Sequence, residues 1–406
     1  MSDTRTFTAR WLFPVSSPPL ERGTITVRGT VIEAVEPHGT RTPDEDLGNV
    51  ALIPGLVNAH THLDLSGARG LTPPTTPDTF TDWLRAVIAY RRTRTAEQVQ
   101  TDITNGLAEC LKFGTTLIGD IASEGASWDV LSAAPSRAVV FREMLGLSEE
   151  RTKLAIDSAK TWTENHHCTL TCKPGFSPHA PYSASLRLLI EAGHLCRVTK
   201  SPSGGKAPIA IHLAESQAEH DLLYHRKGPF VEFLKSLGVW APDGLCEDYK
   251  YVMTSCDFHQ SKLFIHANYL PPNARIPRNS TIVYCPRTHA AFGHRPHPFQ
   301  KFLDRGVRVC LGTDSLASNP DLDLLAEARF VHQLHPDFPT DQLLRMVTLA
   351  GAEALGWADE VGSLEPGKSA DFVTVPLANG GSKDPHQLVF ASTEAERRTM
   401  FRGAWR

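Results

Sequence analysis

Pro54-Gly55-Leu56-Val57-Asn58-Ala59-His60-Thr61-His62-Leu63 sets two histidines at alternate positions where an apolar run ends. Alternate residues of a strand point to one side, so both imidazoles can address a single metal ion. In a chain with 18 histidines, one such pair is weak evidence by itself. Its weight comes from what lies downstream, where His212 with Glu215, His266 and Asp314 each stand at the end of another apolar run.

Runs rich in Val, Ile and Leu occupy residues 51–60, 114–121, 138–146, 169–179, 208–216, 262–270, 280–289 and 308–315. Amphipathic segments separate them, such as 95–113, with Val99, Ile103, Leu107 and Leu111 on one stripe, and 185–199. Eight alternating β and α units predict an α/β chain folded as a closed (β/α)8 barrel of the TIM type. Reactive groups in such barrels lie at the C-terminal strand ends, which is where every candidate ligand falls here.

The flanks read differently. Residues 24–35 alternate as strands joined by a glycine-containing turn, and 370–375 and 400–405 carry matching short runs. The expected division is a small β-sandwich built from both termini (1–50 and 359–406) around a metal-dependent barrel at 51–358. The segment 201–207 reads as a flexible loop ahead of the fifth strand.

A length of 406 residues with 41% apolar content suits one large enzyme domain plus a smaller one. The net charge of -4 comes from mixed charges without a basic block, which argues against nucleic acid or an anionic membrane as partner and favours a small molecule. The apolar patch at 11–15 is interrupted by Pro14, so a signal-peptide core is not read there. No apolar stretch approaches the ~20 residues needed to span a bilayer. Eight cysteines without a CxxC pair read as reduced thiols of a cytoplasmic protein.

At the expected site, His60, His62 and His212 supply neutral imidazole nitrogens to the metal and Asp314 an oxygen. Zinc is the first choice of ion and ferrous iron the alternative. Glu215 follows His212 by three residues, where the chain turns out of the strand, so its carboxyl can shuttle a proton between water and a substrate ring nitrogen. Asp314 can also accept a proton from the attacking water, whose pKa a metal lowers towards ~7. His266 is expected to orient the nucleophile or the developing tetrahedral oxygen.

Substrate contacts are assigned to four further residues. His179, ending the fourth run in Ser177-Pro178-His179-Ala180, is read as a hydrogen-bond donor to substrate, and His289 as either a pocket wall or a loop anchor. Trp83 is read as a ring-stacking or helix-anchoring aromatic, and Glu143 as a pocket wall or a paired core carboxylate.

With these motifs in view, the chain resembles the amidohydrolase superfamily, and within it the mononuclear deaminase and chlorohydrolase branch. The resemblance rests on PGLVNAHTHL, SPHAPYS, IHLAES, FIHANY, YCPRTH, GTDSLASN and VGSLEPGKSADF, and covers nearly the whole chain. It implies metal ligation by His60, His62, His212 and Asp314, proton transfer by Glu215, and substrate or water contacts from His179 and His266. Binuclear members look for a carboxylated lysine on the fourth strand, where this chain carries His179 at the end and Lys173 well before it, so one metal is implied. Adenosine-type and S-adenosylhomocysteine-type deaminases usually carry CPRSN where this chain has Cys285-Pro286-Arg287-Thr288-His289. Asp64 and the run 312–325 look more like aminodeoxyfutalosine deaminases. Barrels of this kind often dimerise, which allows a homodimer.

The expected reaction is hydrolytic deamination of an aminated N-heterocycle or nucleoside, an adenosine derivative or aminodeoxyfutalosine among them. Two other readings use the same fold: a hydrolase that removes halide or cleaves an amide, and a non-catalytic binding protein.

Overall fold

A computed structural model describes residues 4–199, 206–255, 261–377, 384–392 and 396–406. The loop expected at 201–207 lies largely outside the described residues. Eight parallel strands form the central sheet in sequence order: β1 (Leu56–Thr61), β2 (Thr115–Ala122), β3 (Arg137–Met144), β4 (Cys172–Pro178), β5 (Ile209–Leu213), β6 (Lys262–His266), β7 (Ser280–Tyr284) and β8 (Arg308–Leu311). The sheet curls into a nearly closed (β/α)8 barrel, as the repeating runs predicted.

Successive strand residues enter opposite apolar clusters. Val57, Leu117, Val139, Ala210, Leu263, Val283 and Cys310 fall in one, and their neighbours Leu56, Ile118, Val140, Ile211, Phe264, Ile282 and Leu311 in the other. Both faces of the sheet are buried, which is why the strands read as continuous apolar runs. The helices outside follow their local signals. Helix Ala96–Lys112 starts at a capping box made by Thr95 and Gln98, and helix Leu186–Val198 starts at Ser185, whose side chain accepts from the amide of Leu188.

β1 and β8 meet through Asn58. Its Oδ1 accepts the amide of Thr313 at 3.1 Å and its Nδ2 donates to Thr313 Oγ1 at 2.8 Å, while the Asp314 amide donates to the His60 carbonyl at 3.0 Å. Gly312 permits this approach, since a Cβ there would lie 2.9 Å from His60 Cβ.

The first apolar run divides at Gly55. Val50–Pro54 pairs antiparallel with Phe372–Pro376 in a six-stranded terminal sheet, and only Leu56–Thr61 enters the barrel. A second, four-stranded sheet contains Thr4–Thr8, Thr24–Arg28 and Val31–Glu36. Phe7, Leu12, Ile25, Ile32, Leu52, Phe372 and Met400 pack in one cluster between the two. Both termini therefore build the sandwich, and its first portion runs to Pro54 rather than stopping at residue 50. Among the described residues no helix is long and apolar enough to cross a membrane.

Candidate metal centre and active site

His60, His62, His212, His266 and Asp314 converge at the C-terminal end of the barrel, all buried. Strict alternation does not account for this. Ala59 and Ile265 already belong to the inward cluster, so their successors His60 and His266 would point away. A register shift between Asn58 and Thr61 re-aims the first. The second takes left-handed backbone, with φ 67° at His266. Ala214 (φ 53°) after β5 and Asp314 (φ 60°) after β8 do the same. Such conformations in non-glycine residues cost on the order of 1 kcal/mol each and concentrate at functional sites.

The donor set fits a divalent ion. One ligand atom from each of His60, His62 and His212, and from each of His60, His266 and Asp314, lies within 4.8 Å of the others. His62 Nε2 is 3.2 Å from His212 Nε2, and Asp314 Oδ1 is 3.5 Å from His60 Nε2 and 3.9 Å from His62 Nε2. Ligands held at zinc bond lengths in a tetrahedron stand about 3.4 Å apart. Both ring nitrogens of His60 are buried without a hydrogen-bond partner among the described residues, as an ion-binding ring requires of one of them.

Neighbouring groups fix the ring and carboxylate orientations. His212 Nδ1 donates to the His179 carbonyl at 3.0 Å, which leaves Nε2 facing the cluster. Asp314 Oδ1 accepts the Ser315 amide at 2.7 Å and Oδ2 accepts the Ser318 hydroxyl at 3.1 Å. Asp120 Oδ1 accepts from Thr61 Oγ1 at 3.0 Å and from the Leu63 amide at 2.8 Å, and so holds the segment carrying the two histidines.

Burial lowers the pKa of His62 and His212 well below the usual histidine value and that of His266 to about 3, favouring neutral rings. Burial opposes the charge of Asp314, yet His60, His266 and His62 beside it hold its carboxyl below the ordinary range. Glu215 moves the other way, raised well above a normal glutamate by burial and then by the charges of Asp314 and Glu219. Its Oε1 lies 3.3 Å from His266 Nε2.

The cluster floors a cavity of about 330 Å³. His179, Trp83 and Glu143 line it. His179 Nδ1 bonds Ser183 Oγ at 2.8 Å, which leaves Nε2 towards the cavity. Trp83 also anchors its helix, with Nε1 donating to the Thr72 carbonyl at 3.0 Å. Glu143 is both wall and paired carboxylate, 3.3 Å from Arg91. His289 does not line this cavity; its Nε2 donates to the Arg295 carbonyl at 2.9 Å, the loop-anchor alternative. Lys173 is remote from the site, its ammonium bonded to the Gly356 carbonyl at 2.8 Å and stacked on Trp357.

Arg91 and Glu219 were not legible as site residues. Arg91 sits in a helical stretch (Phe80–Thr93) and reaches Asp64 and Glu143 only in the folded chain. His220, Asp221 and His225 also bring ligand atoms within 4.8 Å of one another, but on the solvent side of one helix, away from the cavity.

Residues 51–405 match the model of the amidohydrolase family. The chain belongs to the amidohydrolase family. Over 412 aligned residues this amidohydrolase is 27% identical to a 5-methylthioadenosine/S-adenosylhomocysteine deaminase of Moorella thermoacetica, covering 97% of this chain and 89% of that protein. Its fold is similar to that of the Helicobacter pylori aminofutalosine deaminase in complex with methylthio-coformycin, with a TM-score of 0.85 at 22% identity, 99% of this chain and 100% of the other being covered. It is also similar to a zinc-bound adenosine deaminase from Xanthomonas campestris, with a TM-score of 0.79, 23% identity, and 98% and 92% coverage.

Proposed function

We propose that this amidohydrolase is a hydrolytic deaminase of an aminated heterocycle carried on a nucleoside. The observation that carries the reading is Glu215, a buried carboxyl with raised pKa set beside the convergent His62, His212, His266 and Asp314 side chains at the floor of a substrate-sized cavity. The curated relatives, named as deaminases of adenine nucleosides, support the same choice.

His60, His62, His212 and Asp314 would hold one divalent ion, zinc ahead of iron. That ion supplies Lewis-acid activation of water. Glu215, protonated when substrate binds, donates to the ring nitrogen beside the amino-bearing carbon, which makes that carbon electrophilic. Asp314 accepts one proton from water as its oxygen attacks. His266, 3.3 Å from Glu215, orients the nucleophile. The proton on Asp314 passes to the amino group and ammonia leaves, while Glu215 recovers a proton from the new hydroxyl as the carbonyl forms. His179 donates to the heterocycle, and Trp83 closes the wall beside it.

The test is ammonia release by the zinc-loaded protein across adenosine, methylthioadenosine, aminodeoxyfutalosine, guanine, cytosine and aminotriazines. Release from an adenine nucleoside is the expected result. Chloride release without ammonia from a chlorotriazine would replace this reading with the chlorohydrolase one.

A further inference from the structure

The deamination scheme leaves one charged acceptor in the cavity unused. The Glu143 side chain is 4% exposed, yet its Oε1 has no hydrogen-bond partner among the described residues. The other oxygen, Oε2, accepts from Arg91 at 3.3 Å, and the same guanidinium pairs with Asp64 at 3.0 Å. Arg91 therefore fixes the carboxylate and leaves one oxygen for the cavity. That oxygen lies 3.8 Å from His179 Nε2, and the His179 ring packs 4.7 Å from the His212 ring. Glu143 thus stands one imidazole farther from the donor cluster than His212 does, where a substituent of a ring held at that cluster would reach it.

The chemistry of this position selects its ligand. A buried anionic oxygen without donors is costly, so it favours a ligand that brings O–H or N–H groups. Apolar groups suit the wall beyond it, where Leu145, Leu147 and Phe233 line the cavity. Neutral hydroxyl groups meet both conditions.

We propose that Glu143 Oε1 accepts a hydrogen bond from a sugar hydroxyl attached to the reacting heterocycle, so that the enzyme selects a ribosyl-bearing substrate over its deoxy forms and the free base. This inference rests on the deaminase reading above. Arg91 is the positioning residue that holds the carboxylate for this contact.

The experiment compares adenosine with its 2′-deoxy, 3′-deoxy and 2′,3′-dideoxy forms on zinc-loaded wild type and Glu143→Gln. In wild type, loss of the recognised hydroxyl should lower kcat/KM about 10- to 100-fold, mostly through KM, as expected for a bond to a charged acceptor. In the variant that penalty should shrink to a few-fold. An equal penalty in both proteins overturns the proposal while leaving deamination intact. Calorimetric binding of the same four ligands to wild type needs neither turnover nor a variant. Affinity that is indifferent to the hydroxyls overturns the proposal, whereas hydroxyl-dependent binding without ammonia release supports it and removes the deaminase reading alone.

Discussion

Glu219 holds the backbone of Glu215. Its Oε1 accepts the amide of Ala214 at 2.7 Å and its Oε2 accepts that of Glu215 at 3.2 Å. The left-handed turn at Ala214 swings the Glu215 side chain over the cluster of buried histidines and Asp314, so the second glutamate fixes where the first one points. Glu219→Gln keeps one carbonyl acceptor but sets an NH2 against the remaining backbone amide. The expected cost is about 1–3 kcal/mol of stability. A fall in kcat of about tenfold should accompany it, from misplacement of Glu215. Thermal melts and steady-state kinetics on the metal-loaded variant check both; unchanged kcat would show that the turn is held without Glu219.

The same residue gives a pH signature. Burial raises the Glu219 carboxyl from the ordinary 4.5 of an exposed glutamate to about 8 in the folded protein. Between those values the folded state retains a proton that the unfolded state has lost. Its contribution is present in full at low pH and is lost as pH rises through about 8. Wild type should therefore lose stability over that interval relative to Glu219→Gln, which cannot titrate. Urea melts of the two proteins at several pH values check the difference, and parallel curves would contradict the raised pKa.

Removal of the proposed proton donor, Glu215, should be more severe for rate and mild for fold. Glu215→Gln keeps the shape of the side chain but cannot deliver a proton to a ring nitrogen. Turnover should fall about 10²- to 10⁴-fold. Bound metal, measured by elemental analysis, should stay near the wild-type level because Glu215 is outside the four-ligand set. Near-normal turnover with intact metal would remove Glu215 from the role.

Chelation probes the cluster from the other side. His60, His62 and His212 are buried rings brought together from two strands, and an ion bound only in the folded state stabilises that state by mass action. Treatment with a strong chelator should lower the melting temperature and abolish turnover, and zinc should restore both. Asn58→Ala should weaken zinc retention without touching a ligand, because Asn58 positions Thr313 beside Asp314.

How far the sequence reveals this site depends on the range of the interaction involved. The barrel strands are legible because each is buried on two faces, and the proposed ligands are legible because they end those runs. The division at Gly55 is not, since residues 51–57 are apolar on both sides of it and only pairing with Phe372–Pro376 separates them. The inward turns of His60 and His266 depend on a register shift and a positive φ that run against simple alternation. His289 ends an apolar run like the histidines that converge on the cavity, but a loop carbonyl six residues on takes its ring. Glu219, Asp120 and Arg91 act through backbone amides or partners distant in sequence, and residue type at their positions suggests only a solvated helix face or a core polar group.

Arg91 offers the sharpest test of such long-range work. It is the shared cation of Asp64 and Glu143, whose side chains are 6% and 4% exposed. Arg91→Met would leave two buried carboxylates near each other without a counter-charge. A loss of about 3 kcal/mol is expected, partly relieved as the pair takes up a proton. Asp64→Asn combined with Arg91→Met should recover part of that loss, because one of the two repelling charges is gone. A double-mutant cycle by chemical denaturation measures the coupling, and strictly additive effects would mean that the three side chains do not act as one network. Arg91→Lys keeps the charge but not the planar fork that reaches both carboxylates, so it should retain most of the stability while weakening substrate affinity through a less firmly held Glu143.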